Sequence, residues 1–187
     1  YNIAAKITRI EENNSNIKYA GKWSTVQNNK HSGGAVKVGK AAGSSAEFKF
    51  TGTGIKLLAS TYKDRGIAKV TLDGESYSVD MYSASAKYKN VVFQKNNLKA
   101  GTHSIKIEYT GMRNSKAAGN LIIIDAFDIT EGNIVEPQAT RVEENNSNIK
   151  YVGTWTTSNN KNHSGGAVKV GKAAGSSAEF KFTGTGI

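Results

Sequence analysis

The sequence predicts an all-β fold, an antiparallel sandwich or barrel, and three observations carry that reading. Short runs alternate apolar and polar residues, as in Glu47-Phe-Lys-Phe-Thr51 and Ala68-Lys-Val-Thr-Leu72, the period-two pattern of half-buried strands. Turn-forming residues punctuate the runs roughly every 8–12 residues, the rhythm of sandwiches and barrels. No stretch carries a convincing helical period.

Residues 1–8 offer an edge strand through Ile3 and Ile7. Residues 9–19 carry Glu11 and Glu12, then Asn13-Asn-Ser-Asn16, whose side chains favour turns. A short strand holds Trp23, and 27–34 form a polar loop with His31 and Gly33-Gly34. After 35–38 and a small-residue turn, 47–51 set Phe48 and Phe50 on one face, and 55–60 form the next strand. Beyond the loop 61–66, strand 68–72 meets Asp73-Gly74, a pair that supplies the positive φ angles of a tight hairpin. Residues 76–80 return. Residues 82–90 are polar with Tyr82 and Tyr88, 91–93 read as a short buried strand, and 102–109 put Ile105 and Ile107 on one face. A long basic loop, 111–120, leads to 121–129, the most apolar strand and the expected centre of a sheet.

Residues 9–55 return at 141–187 without a gap, at an offset of 132, with 39 of 47 positions identical. A period of that length suits a whole domain rather than a solenoid repeat. The expected organisation is one complete module over 1–130, a linker over 131–140 holding the sole proline, Pro137, and a partial second copy over 141–187. That copy lacks counterparts of 56–129, and a few strands alone cannot bury both faces. It competes with 9–55 for one C-terminal part, and its unpaired edges invite swapping or fibre growth. The simpler expectation is a window on a longer tandem array.

The chain carries a net charge of +10 and no cysteine. Disulfide scaffolds, thiolate zinc sites and cysteine nucleophiles are therefore excluded. The lysines are spread singly, as on a solvated surface. Attraction to an acidic polysaccharide is the sharper alternative, whereas no basic cluster or motif points to nucleic acid. No run is long and apolar enough for a membrane helix. Tyr1 is not an initiator methionine, so a fragment or processed chain is expected.

Several motifs occur in a telling order: Ile10-Glu-Glu-Asn13, Trp23, Ser32-Gly-Gly34, Phe48-Lys-Phe-Thr-Gly-Thr-Gly-Ile55, Val70-Thr-Leu-Asp-Gly74, Val91-Val-Phe93, Leu98-Lys-Ala-Gly-Thr-His-Ser-Ile105 and Ile124-Asp-Ala-Phe-Asp-Ile129. In this order the chain resembles the galactose-binding-like β-jelly-roll, a carbohydrate-binding module appended to secreted bacterial glycoside hydrolases and surface proteins. The resemblance implies an antiparallel β-sandwich of jelly-roll type. Its motifs specify scaffold rather than ligand. It also implies a structural calcium ion between the acidic first strand and the last, held by Glu11 or Glu12 with Asp125 or Asp128. Calcium takes several carboxylate and carbonyl oxygens. The alternative is that these carboxylates are solvated or paired with Lys and Arg.

Sugar binding in such modules sets an aromatic face against a pyranose, with polar loop side chains at the hydroxyls. The candidates by loop position are Tyr62, Asp64, Arg65, Trp23, Tyr82, Tyr88, Arg113 and Asn114. Tyr62-Lys-Asp-Arg65 crowds an aromatic, an acid and two bases into one turn; the alternative is a solvated loop with a local ion pair. Trp23 is equally a packing residue. His31, its counterpart His163, and His103 have no metal-spaced partner and read as structural or solvated. Gly52 and Gly54 lack the third glycine and the helix of a dinucleotide fingerprint. No nucleophile elbow is present, and adjacent carboxylates on a strand face opposite ways, so catalysis is not expected. The expected function is a non-catalytic module tethering a secreted or surface bacterial protein to a glycan or cell-wall polysaccharide. The alternative is a structural repeat of an adhesin, stalk or filament that pairs with neighbouring copies.

Overall fold

A computed structural model describes residues 5–136 and 140–183. Ile3, Pro137 and the second Gly-Thr-Gly-Ile, 184–187, lie outside the described residues. The chain divides into two compact units, Tyr1–Pro137 and Gln138–Ile187. The architecture is all-β and antiparallel, and the only helical turns among the described residues are two three-residue 3-10 turns. No helix of the described residues is long and apolar enough to cross a membrane.

The first unit contains β1 (Ile7–Glu11), β2 (Lys18–Ala20), β3 (Trp23–Gln27), β4 (Ala35–Gly39), β5 (Ser45–Gly52), β6 (Gly54–Thr61), β7 (Ile67–Leu72), β8 (Glu75–Asp80), β9 (Lys87–Lys95), β10 (Gly101–Tyr109), β11 (Ile122–Ile124), β12 (Ala126–Thr130) and β13 (Asn133–Ile134). One sheet runs β1-β12-β6-β9. The other runs β13-β5-β10-β7-β8, with β2 sharing the β13 edge of β5, and a small sheet runs β11-β4-β3. The alternation read in β5 is the one observed: Ala46, Phe48 and Phe50 are buried and Glu47, Lys49 and Thr51 exposed. Phe48 meets Phe127 of β12 edge-on, ring centres 4.7 Å apart. That contact joins the two large sheets, and Ile55, Leu57, Val70, Ile105, Ile107 and Ile129 complete the core around it.

Two expectations are corrected. The apolar run 121–129 is not one central strand. It breaks at Asp125 into β11, which pairs with β4, and β12, which lies between β1 and β6. The run is buried on both faces because two different sheets use it. The predicted short buried strand at 91–93 is the middle of β9, a nine-residue edge strand that is mostly exposed, with Val91 outward and Phe93 inward. Its partner β6 imposes the strand on a run whose own residues are polar. Past the sandwich the chain crosses itself tightly: a Cβ on Gly132 would sit 1.7 Å from the Thr51 carbonyl oxygen.

The second unit consists of two hairpin-like pairs. β14 (Ile149–Val152) pairs with β17 (Ser177–Phe180), and β15 (Trp155–Asn159) pairs with β16 (Ala167–Gly171). They repeat the β2–β5 and β3–β4 pairings of the first unit. Tyr151, Trp155, Val168 and Ala178 line an open hollow of about 340 Å³ on one face.

Candidate functional site

Three loops of the first unit converge beyond strands β6, β8 and β10. Backbone bonds tie them together: Ser83 N–H donates to the Tyr62 carbonyl at 3.2 Å, Ala118 N–H to Lys63 at 2.7 Å, and Leu121 N–H to Asp64 at 3.1 Å. The approach is close enough that a Cβ on Gly119 would sit 2.7 Å from the Asp64 carbonyl oxygen. Here glycine is required by space. Tyr62 and Tyr82 form a parallel bridge, and Tyr62 presents a 40 % exposed ring.

In the same loop, Arg65 Nη1 donates to Asp64 Oδ1 at 2.5 Å. The guanidinium is mostly buried and the carboxylate half exposed. Arg65 Nη2 reaches Ser60 Oγ at 3.5 Å, while Arg65 Nε and Thr61 Oγ1 are buried with no hydrogen-bond partner among the described residues. Across the cluster, Asn114 Nδ2 donates to Asp80 Oδ2 at 2.7 Å, and Tyr82 N–H donates to Asp80 Oδ1 at 2.9 Å. Tyr62, Asp64, Arg65, Tyr82 and Asn114 are thus brought together, and the exposed Arg113 adjoins Asn114 in the same loop. Sequence reasoning missed Asp80, the residue that locks two of these loops. An Asp two residues before a polar turn is a signal that could have found it.

Two candidates lie elsewhere. The Trp23 indole N–H donates to the carbonyls of Ala20 and Ser45, and its ring packs on Tyr19 and over Gly39. Those contacts make it a packing residue of the small sheet. Tyr88 sits on β9 with Lys30 Nζ 5.3 Å above its ring and the His31 ring 5.1 Å away, edge-on.

His31 leads into a second, buried cluster. Ser32 N–H donates to Asp125 Oδ1 at 2.9 Å, and Ser32 Oγ donates to Glu11 Oε1 at 2.8 Å. Arg9 forks onto Asp128, with Nε to Oδ1 and Nη2 to Oδ2 both at 2.7 Å. Burial raises the proton affinity of Glu12, and the charges of Glu11 and Asp125 add to it. Burial likewise raises Asp125, against the opposing pull of His31 and the Ser32 amide. Among the described residues, Glu11 Oε2 is buried without a hydrogen-bond partner, and the buried Asp125 Oδ2 and His31 Nδ1 face each other at 3.5 Å, too long for a good hydrogen bond. Asp128 has both oxygens taken by Arg9. Among the described residues, no three His, Cys, Asp or Glu side chains already converge as a metal cage. The partners Arg9, His31 and Ser32 recur as Arg141, His163 and Ser164, but so do 39 of the 47 duplicated positions, so nothing in the sequence singled them out.

No protein-family model matches the chain. The A type blood alpha-D-galactosamine galactosaminidase of Flavonifractor plautii is 28 % identical over 181 residues, 96 % of this chain and 16 % of that protein. The chain therefore spans about a sixth of the length of the curated relative it matches. Among solved structures, a family two carbohydrate esterase from Cellvibrio japonicus is similar with a TM-score of 0.53 and 13 % identity, over 74 % of this chain and 38 % of that one. A two-domain esterase active on acetylated mannans, co-crystallised with mannopentaose, is similar with a TM-score of 0.51 and 13 % identity, over 67 % and 37 %. These structural likenesses concern the fold: a β-sandwich that forms part of a larger chain.

Proposed function

We propose that the first unit is a non-catalytic carbohydrate-binding module that tethers a secreted or surface bacterial protein to a glycan. The observation that carries the reading is the three-loop cluster. The exposed Tyr62 shares one loop with the Asp64–Arg65 pair, and backbone bonds from that loop bring in the loops of Tyr82 and of the Asn114–Asp80 pair. An aromatic face suits the apolar side of a pyranose, and the paired polar groups suit its hydroxyls. Both carboxylates of the cluster are already engaged, Asp64 by Arg65 and Asp80 by Asn114, an arrangement for holding hydroxyls rather than passing protons. The similarity to a galactosaminidase supports the association with carbohydrate. On a glycan array, Asp64→Ala with Arg65→Ala should weaken binding at least about tenfold, since a hydrogen bond to a charged group contributes about 1.5–3 kcal/mol. The strand signal in circular dichroism should not change. Undiminished affinity in that variant removes the site.

The calcium ion implied by the resemblance fits part of the buried cluster. Glu11 keeps a free buried oxygen, and Asp125 Oδ2 faces only His31 Nδ1, at 3.5 Å. Of the residues implied, Glu11 with Asp125 would hold the ion and Asp128 would not, because Arg9 saturates it. Bound calcium would relieve the unpaired oxygens and tie β1 to the β11–β12 junction. At saturating calcium the melting temperature should exceed that in EDTA by roughly 5–10 °C. Glu11→Ala should abolish the difference and Asp128→Ala should keep it. Equal melting with and without calcium removes the ion.

A second reading, a structural repeat of a surface stalk or filament, is favoured by the near-identical second copy. A spacer should bind nothing on an affinity gel above a background that fades with salt.

A further inference from the structure

Seven of the eight positions that differ between the two copies fall within 20–30, and the eighth is Ile10 against Val142. Exposed positions outside that window, among them Arg9, Lys18, Lys40, Lys49 and Thr51, are unchanged. Change scattered over a solvated surface would have touched some of them. The divergence is instead confined to β3 and the short segments that flank it. At the far end of that stretch Asn29-Lys30 gives way to Lys161-Asn162, which moves one ammonium group by one residue.

The same lysine reaches an aromatic ring on β9. Lys30 Nζ lies 5.3 Å from the centre of the Tyr88 ring, and the His31 ring meets it edge-on at 5.1 Å. Tyr88 nevertheless stays 37 % exposed. An ammonium group over a ring is attracted by its electrons, so the cation is held beside an open aromatic surface. The charge around that surface has one sign: Lys87 and Lys89 flank Tyr88, and neither β9 nor the loop 27–34 contains an acidic residue.

Tyr88 also adjoins the three-loop cluster. In the β6–β9 ladder Thr61 pairs with Lys87 and Ala59 with Asn90, so Tyr88 and Lys89 together stand across from Ser60. Ser60 Oγ is the group that Arg65 Nη2 reaches at 3.5 Å. Tyr62 is two residues further along, on the same side of the strand as Ser60. Two residues of strand and one strand spacing put the Tyr62 and Tyr88 backbones roughly 8 Å apart. One pyranose ring cannot cover both, whereas a trisaccharide spans them.

We infer that Tyr88 and Lys30 form a second sugar subsite continuous with the three-loop cluster. The first unit thereby takes an internal run of a glycan chain, and Lys30 selects a residue bearing an anionic group, a carboxylate or a sulfate. This rests on the carbohydrate reading of the cluster. The exchange of Asn29-Lys30 for Lys161-Asn162 resets the choice from one copy to the other.

The full chain is tested in about 0.15 M salt, where loose surface attraction is screened. The probes are sets of galacto-, gluco- and manno-configuration, each a monosaccharide, a neutral trisaccharide, and the trisaccharide with one carboxylate or one sulfate. In the set that binds, the neutral trisaccharide should exceed the monosaccharide by about fivefold. One anionic form should exceed the neutral one by about three- to fivefold, the range of an exposed ion pair, and the better arm tells carboxylate from sulfate. Tyr88→Ala should erase the advantage of the trisaccharide and Tyr88→Phe should keep it, both with monosaccharide binding and melting temperature unchanged. Lys30→Asn should erase the anionic preference alone, while Lys40→Asn, which removes an exposed lysine elsewhere, should leave it. Asp64→Ala with Arg65→Ala should weaken every member of the set. The inference alone is overturned if monosaccharide and trisaccharide bind equally, if Tyr88→Ala weakens both alike, or if the two lysine variants lower the preference to the same extent. A parent chain that binds no member of any set removes the carbohydrate reading with it.

Discussion

His103 is held at both ring nitrogens, Nδ1 by Asp73 Oδ2 at 2.6 Å and Nε2 by the Lys99 carbonyl at 2.9 Å. Two acceptors call for two N–H donors, which only the imidazolium has. Burial works against the charge, but Asp73 and the Lys99 carbonyl outweigh it and hold the proton above the ordinary value of 6.5. For Asp73, burial is likewise outweighed, here by the Ser104 amide and His103, and its carboxyl stays below the ordinary 3.8. The contribution of His103 is full below about pH 6.5 and is lost as pH rises through the raised folded value. That of Asp73 is present above about pH 3.8 and is lost as pH falls through its lowered value. Asp73→Asn should therefore cost about 0.5–1 kcal/mol near pH 5, a small figure because the carboxylate is exposed. Urea midpoints at pH 5 and pH 8.5 check it: the gap from the parent chain should shrink at the higher pH.

At the scale of the element, legibility followed local chemistry. The Asp73-Gly74 turn was readable because its angles, φ of 49° and 88°, are those Asp-Gly adopts readily. β5 was readable because one of its faces is solvated, so that Phe48 and Phe50 stand out against Glu47 and Lys49. The break at Asp125 was not, since every neighbour from Ile122 to Phe127 is buried and alternation carries no information there. β9 was hidden because a ladder with β6, not its own residues, takes 87–90 into the strand, across an irregularity where Lys89 has a φ of 52°. In the candidate site, Tyr62 with Asp64 and Arg65 could be read from one turn, but Tyr62, Asp80 and Asn114 are far apart along the chain and only the loops unite them. The contact that joins the sheets gives the element-scale expectation. Phe127→Ala should cost about 3–5 kcal/mol, read as a lower urea midpoint with an unchanged slope. A loss under about 1 kcal/mol would mean that the two layers do not depend on that ring pair.

Over the whole molecule, one stretch of sequence meets two fates. Covered by later strands, the residues 9–52 build half of a core; without cover, 141–183 keep the same strand pairings but leave their apolar side chains open. Strand pairing is thus encoded locally, whereas burial is conferred by the rest of the module. The pairing of Ile7 with Thr130 has a mechanical consequence as well. The chain enters β1 beside the end of β12, and beyond that end only the short β13 holds the outgoing chain to β5. Tension applied through the chain then peels β1 from β12 one backbone bond at a time instead of shearing the ladder at once. A row of such units under pull would yield one edge after another at low force, a shock absorber in place of a stiff rod.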